Sequence, residues 1–122
     1  MLAPILTTHT DTATSSGRNL IVVGISGPVV NRDQAASIRA TCLDGPSSHG
    51  LLVNVSGVSL MAEIGLEALR DVARACAARA QHVVFVCSEL MLRSDLILAD
   101  LDTLAPVVAA EEQAIPLLSM AA

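Results

Sequence analysis

Aromatic side chains are almost missing from this sequence, which holds one phenylalanine and neither tryptophan nor tyrosine. Single-stranded nucleic acid is gripped by stacking on such rings, so that mode of binding is excluded. Positive charge is also scarce: 7 Lys and Arg face 12 Asp and Glu, for a net charge of −5. That balance repels phosphate backbones and favours a partner with a basic surface, or simply solubility. No apolar run approaches the roughly 18 residues of a transmembrane helix. The N-terminal MLAPILTTHTDT has no basic n-region and too short an apolar core for a signal peptide, so the expected location is the cytoplasm. Cys42, Cys76 and Cys87 show no CxxC spacing, and His9, His49 and His82 are scattered. A metal site is therefore not expected, and the three thiols read as buried and reduced. The run Gly24-Ile25-Ser26-Gly27 lacks the second half of a hydrolase nucleophile elbow, and no nucleophile–base pair or phosphate loop is found. The chain reads as a non-enzyme that needs no cofactor.

What is present suffices for one domain. Hydrophobic residues make up 52% of 122 residues, so a core must be built from Leu, Val, Ile and Ala. Its organising stretch is residues 50–70, GLLVNVSGVSLMAEIGLEALR. Leu51-Leu52-Val53-Asn54-Val55 reads as a buried strand, broken at Ser56-Gly57. After a short apolar crossing the period changes to 3.6, with Leu66, Leu69, Val72, Ala73, Cys76 and Ala80 on one helical face. A helix that starts there aims its unsatisfied N–H groups and the positive end of its dipole at the crossing.

The rest alternates in the same way. Residues 1–19 read as a flexible arm with at most a short edge strand near Ile5-Leu6. Residues 20–25 form a second buried strand, ended by Ser26-Gly27-Pro28. Asn31 as N-cap with Gln34 at N3 opens a helix with Ala35, Ile38 and Cys42 inside, stopped by Asp44-Gly45-Pro46. Residues 82–87 make a third strand, Ser88 or Glu89 starts a helix with Leu92, Leu96 and Ala99 on one face, and residues 101–106 form a turn. Val107-Val108 is a short last strand, and a final helix ends near Pro116, leaving 117–122 as a tail. Such alternation predicts an α/β domain over residues 20–116, with helices on one or both faces of the sheet.

Ser56-Gly57-Val58, Leu60-Met61 and Gly65-Leu66 also carry a family resemblance. The stretch is similar to the signature of the STAS domain, the anti-sigma-factor antagonist family. Leu101-Asp102-Thr103-Leu104 with Pro106-Val107-Val108, and Glu111-Glu112-Gln113-Ala114, resemble that family's closing segments. The resemblance implies a STAS-like fold, a central, mostly parallel sheet of four to five strands flanked by about four helices. Three positions depart from the pattern: Ala62 stands for an Asp, Glu63 for the phosphorylated Ser, and Ile64 for a second Ser or Thr. Asp100 stands where the family has Gly, which implies a differently shaped helix end.

The implied function is regulatory binding of a protein partner, an anti-sigma factor of the kinase type. It involves no direct contact with nucleic acid and no membrane insertion, and a homodimer is left open. The partner-binding loop and helix start would comprise Ser59, Met61, Ala62, Glu63, Ile64, Gly65 and Leu66. A phosphate there adds a charge of about −1.5 to −2. Glu63 accepts no phosphate. Either it imitates the modified state in part or frees the protein from kinase control, or it is ordinary acidic chemistry in a first helical turn. Ser56 and Ser59 read as turn and packing residues, and Asp95, Asp100 and Asp102 as solvated helix ends. Cys76 and Cys87 are expected near each other as inert core thiols. The alternatives are a subunit of a stress-signalling assembly, a regulator of a membrane transporter, or a small-ligand sensor.

Overall fold

A computed structural model describes residues 5–11, 20–43 and 50–120. The elements follow in the order β1 (Ile5–Asp11), β2 (Leu20–Val29), α1 (Arg32–Leu43), β3 (Gly50–Met61), α2 (Glu63–Ala78), β4 (His82–Val86), α3 (Leu90–Leu98), α4 (Leu101–Leu104), β5 (Val107–Val108) and α5 (Glu111–Met120). The five strands form one sheet in sequence order; β1 pairs antiparallel with β2, and β2 to β5 run parallel.

The strands are apolar on both faces because both faces are covered. Ile21, Val23, Leu51, Val53, Val83 and Phe85 point to one side, where they pack with Ile38 of α1, Leu69 and Val72 of α2, Leu96 of α3 and Leu101 of α4. Val22, Leu52, Val84 and Val86 point to the other, which Ala114 and Leu118 of α5 cover. The period-2 alternation of the strands thus separates a layer of four helices from a layer of one.

The predicted capping box of α1 is formed. Gln34 N–H donates to Asn31 Oδ1 at 2.9 Å, and Gln34 Oε1 accepts from the Asn31 N–H at 3.2 Å and the Val30 N–H at 2.7 Å. Gln113 repeats half of that device at α5, accepting from the N–H groups of Ala109 and Ala110. The predicted helix stop at 44–46 lies outside the described residues, as does residue 12–19 of the N-terminal arm.

Several expectations change. The edge strand is seven residues long, not a short piece near Ile5-Leu6, because every residue of β1 finds a partner on β2. Ser26-Gly27-Pro28 and Ser56-Gly57 do not end their strands. β2 and β3 continue to Val29 and Met61 through register shifts between Gly24 and Ser26 and between Gly27 and Pro28. Glycine makes this a bulge rather than a break. A Cβ on Gly57 would lie 2.8 Å from Ser26 Cβ, and Gly27 takes φ 86°. Residues 101–106 hold one helical turn, α4, with Leu101 and Ala105 buried. The last helix runs through Pro116 to Met120, so 117–120 are helix and not tail. Proline removes one backbone bond, but Ala114 and Leu118, one turn apart and both fully buried, hold the helix on the sheet from either side of it.

Asp100 adopts the left-handed conformation after α3, φ 63° and ψ 21°, a region that glycine enters most easily and Asp more readily than most other residues. The end of α2 is similar. Ala80 is left-handed at φ 56°, with Gln81 N–H on Cys76 O at 2.8 Å and Ala80 N–H on Ala77 O at 3.2 Å, a Schellman closure carrying alanine in place of glycine.

Candidate functional site: the start of α2 and the wall of α3

The extended tips of β2 and β3 deliver the chain to α2. Ala62, in extended conformation, is the N-cap, and its side chain caps nothing. Its backbone does the work instead. Ala62 N–H donates to Val29 O at 2.9 Å, and Ala62 O accepts from Gly65 and Leu66 at 2.9 and 3.2 Å. Helix and strand tip are close enough here to require a glycine. A Cβ on Gly65 would fall on Met61 Sδ and 2.8 Å from Val29 Cγ1.

Glu63 is the first residue of α2. Its Oε1 meets Arg70 Nη2 at 2.7 Å, two helical turns on, and Arg70 Nη1 donates to Ala99 O at the end of α3 at 3.3 Å. The Glu63 side chain is 72% exposed, whereas that of Arg70 is 19% exposed. The helix start therefore presents a carboxylate whose counter-charge comes from the same helix.

The predicted site residues are brought together at this end of the sheet but do not all face outward. Ser59 is exposed near the tip of β3, Met61, Ala62 and Ile64 are half-buried, and Gly65 and Leu66 are buried. Gly65 therefore acts by letting the helix approach. Ser56 is held structurally: its Oγ accepts from Ser88 N–H at 2.9 Å, and its own N–H donates to Asn54 Oδ1 at 2.9 Å. Asn54 in turn donates to Glu111 Oε2 at 2.7 Å, tying β3 to α5.

Two clefts flank the loop. One, of about 410 Å³, lies between the β3 tip (Ser59, Leu60, Met61) and α3 with its N-cap (Glu89, Met91, Asp95). The other, of about 340 Å³, lies between Met61, Glu63 and Leu66 on one side and Asp95 and Leu98 on the other. The α3 wall escapes a reading of the sequence that looks for one buried stripe. Six of the nine residues of α3 are apolar, yet only Leu92 and Leu96 are buried. The surplus was the available signal. Leu60, Leu90, Met91 and Leu98 are exposed, Met91 at 75% and Leu98 at 81%.

The thiols are free and buried. Burial, with the neighbouring Cys76 as a smaller cause, pushes Cys42 up to about 12. Cys76 therefore has an electrostatic neighbour in Cys42, on the adjoining helix. Burial also raises Cys76 and Cys87, and Cys87 Sγ donates to Glu89 O at 3.4 Å. Among the described residues no three His, Cys, Asp or Glu side chains are gathered to hold a metal ion, and no helix is long and apolar enough to cross a membrane.

A parallel sheet with one antiparallel edge, four helices on one face, one on the other, and a helix starting at the tip of the central strand together make the STAS fold. The chain is similar to an anti-sigma factor antagonist from Mycobacterium paratuberculosis, at 20% identity and a TM-score of 0.71, covering 93% of this chain and 94% of that one. It is similar to the unphosphorylated form of the anti-sigma factor antagonist SpoIIAA, at 18% identity and a TM-score of 0.60, covering 93% and 99%. It is also similar to the STAS domain of a SulP transporter from Vibrio cholerae, at 17% identity and a TM-score of 0.62, covering 75% and 74%. No protein-family model matches the sequence, and no curated protein does.

Proposed function

We propose that the chain is a regulatory binding protein of the anti-sigma-factor antagonist kind. It works in the cytoplasm, takes an anti-sigma factor of the kinase type as partner, and acts on transcription only through that partner. Its contact surface is the loop and helix start at Ser59, Met61, Ala62, Glu63 and Ile64, positioned by Gly65 and Leu66. The fold likeness to two anti-sigma factor antagonists supports the class.

The observation that carries the reading is the ion pair of Glu63 with Arg70 at 2.7 Å. A carboxylate at this position accepts no phosphate, and its charge is already met within the helix. Phosphate carries about −1.5 to −2 charge and three acceptor oxygens, more than one guanidinium so placed would neutralise. The helix start thus stays in one binding state without a kinase to set it.

The test is titration calorimetry of wild type, Glu63→Ser and Glu63→Gln against kinase-type anti-sigma factors, followed by mapping of phosphate by mass spectrometry after incubation with ATP. Binding by the wild type with no phosphate on the loop is expected. Stoichiometric phosphate on Ser56 or Ser59 would show that the acceptor has moved. The likeness to a transporter's STAS domain supports a second reading, which capture of a transporter subunit by the loop surface would favour.

A further inference from the structure

We infer that the exposed outer stripe of α3, Met91, Asp95 and Leu98, is the second wall of the docking surface, and that it selects a protein partner whose apolar side chains are framed by Arg or Lys. The inference rests on the reading of the α2 start as a contact surface and extends it to a helix that reading does not use.

Residues 91, 95 and 98 stand at i, i+4 and i+7, on one face of α3 beside the buried Leu92 and Leu96. That face closes both clefts opposite Leu60, Met61 and Glu63. Met91 and Leu98 are more exposed than any other large apolar residue described, and Leu60 stands across the cleft at 62% exposure. Exposed apolar side chains around a concave centre mark an interaction site. Methionine at its rim suits a surface that must adapt to its partner.

Charge decides among the occupants. The titratable side chains lining the two clefts are Glu63, Glu89 and Asp95, with no arginine among them. Arg70 meets Glu63 and the Ala99 carbonyl, and Arg93 donates to Cys87 O, so the charge left unmatched on this rim among the described residues is that of Glu89 and Asp95. Glu89 Oε1 accepts the Met91 N–H as the cap of α3. Asp95 makes no ion pair among the described residues. A second copy placed on this face by two-fold symmetry would set the same acidic rim against itself. An anionic lipid surface is repelled for the same reason. A basic frame around an apolar centre is the complement that remains.

The probe is the protein that the wild-type chain captures from a lysate of its source cells, then purified. Calorimetry at low and high salt compares wild type with Leu60→Ser on the loop side and with Met91→Ser, Leu98→Ser and Asp95→Asn on α3. Thermal melts verify that these exposed substitutions leave the fold intact. Met91→Ser and Leu98→Ser are each expected to weaken binding about tenfold. Asp95→Asn is expected to weaken it about threefold and to flatten its salt dependence. If Leu60→Ser abolishes binding while all three α3 variants bind like wild type, the second wall is refuted and the loop reading stands. Capture by none of the proteins overturns both. Sedimentation velocity showing a dimer that Met91→Ser dissolves would give the surface to a second copy and also refute the inference.

Discussion

Glu63 and Arg70 face each other at 2.7 Å along α2, and they are unequal partners. One is a mostly exposed carboxylate. The other is a mostly buried guanidinium that also holds the last turn of α3 through Ala99 O. The ion pair itself is a surface pair, worth about 0–1 kcal/mol. Glu63→Gln should therefore change stability by less than about 1 kcal/mol. Arg70→Met should cost about 1 kcal/mol more, because it also removes a charged donor from a backbone carbonyl. Urea denaturation of both variants checks the order, and equal losses would mean that the bond to Ala99 contributes nothing.

Gly65→Ala sets two effects against each other. Alanine in a helix gains about 0.5–1 kcal/mol over glycine. The added methyl meets Met61 Sδ and Val29 Cγ1, and overpacking of that kind costs about 1–3 kcal/mol. Met61 is flexible but Val29 is β-branched and fully buried, so the clash is expected to win. The double variant with Val29→Ala should recover part of the loss, read as a coupling in a double-mutant cycle.

Ala80 and Asp100 hold positive φ without being glycine. A left-handed residue costs about 1–2 kcal/mol, less for Asp, while glycine adds about 0.5–1 kcal/mol of unfolded-state entropy. Ala80→Gly is expected to raise the melting temperature, and Asp100→Gly to raise it less. A fall for Ala80→Gly would contradict the left-handed closure of α2.

Alkali should act through the thiols. Cys42 lies at about 12 in the fold against an ordinary 9.0, so the unfolded chain loses its proton first. Stability is full below about pH 9 and declines as pH rises toward 12. The sequence has neither tyrosine nor lysine to titrate in that range, but Cys76 and Cys87 are raised in the same direction and add to the slope. Cys42→Ala should flatten it in denaturant melts at pH 8, 9.5 and 10.5, and an unchanged slope would exclude Cys42 as its source.

Val53 is fully buried in β3 between β2 and β4. Val53→Asp should unfold the domain, since an unpaired buried carboxylate costs several kcal/mol. A circular dichroism melt like that of the wild type would remove β3 from the centre of the sheet.

The strands and the long helix were legible because burial leaves a direct mark: an apolar run at 51–55 broken only by Asn54, a continuous one at 83–87, and a 3.6 period after Leu66. The α1 capping box was legible for a local reason, since Asn31 and Gln34 are three residues apart. What was not legible depends on partners far along the chain. Gly57 reads as a break until Ser26 is placed against it, and Pro116 reads as a stop until Leu118 is seen on the sheet. At the site, the loop and Glu63 stood out against a known pattern. Arg70 did not, because nothing in the spacing says that a guanidinium two turns away will reach back. The wall of α3 was hidden by its own excess, since periodicity finds Leu92 and Leu96 and is silent about the apolar residues left over.

The unequal covering of the sheet gives the molecule a thin side. Among the described residues four helices close one face, whereas the other depends on α5, fastened by Ala114, Leu118 and the bond of Asn54 to Glu111, with a proline in its middle. Lifting α5 uncovers Val22, Leu52, Val84 and Val86 but leaves the larger core untouched. With so few ties, α5 is the element expected to open first, and as a unit, while the sheet and the α2 start stay closed. Amide protons of α5 should exchange well before those of α2 and β3, and the proposed binding surface at the far tip of the strands should outlast the helix that seals their back.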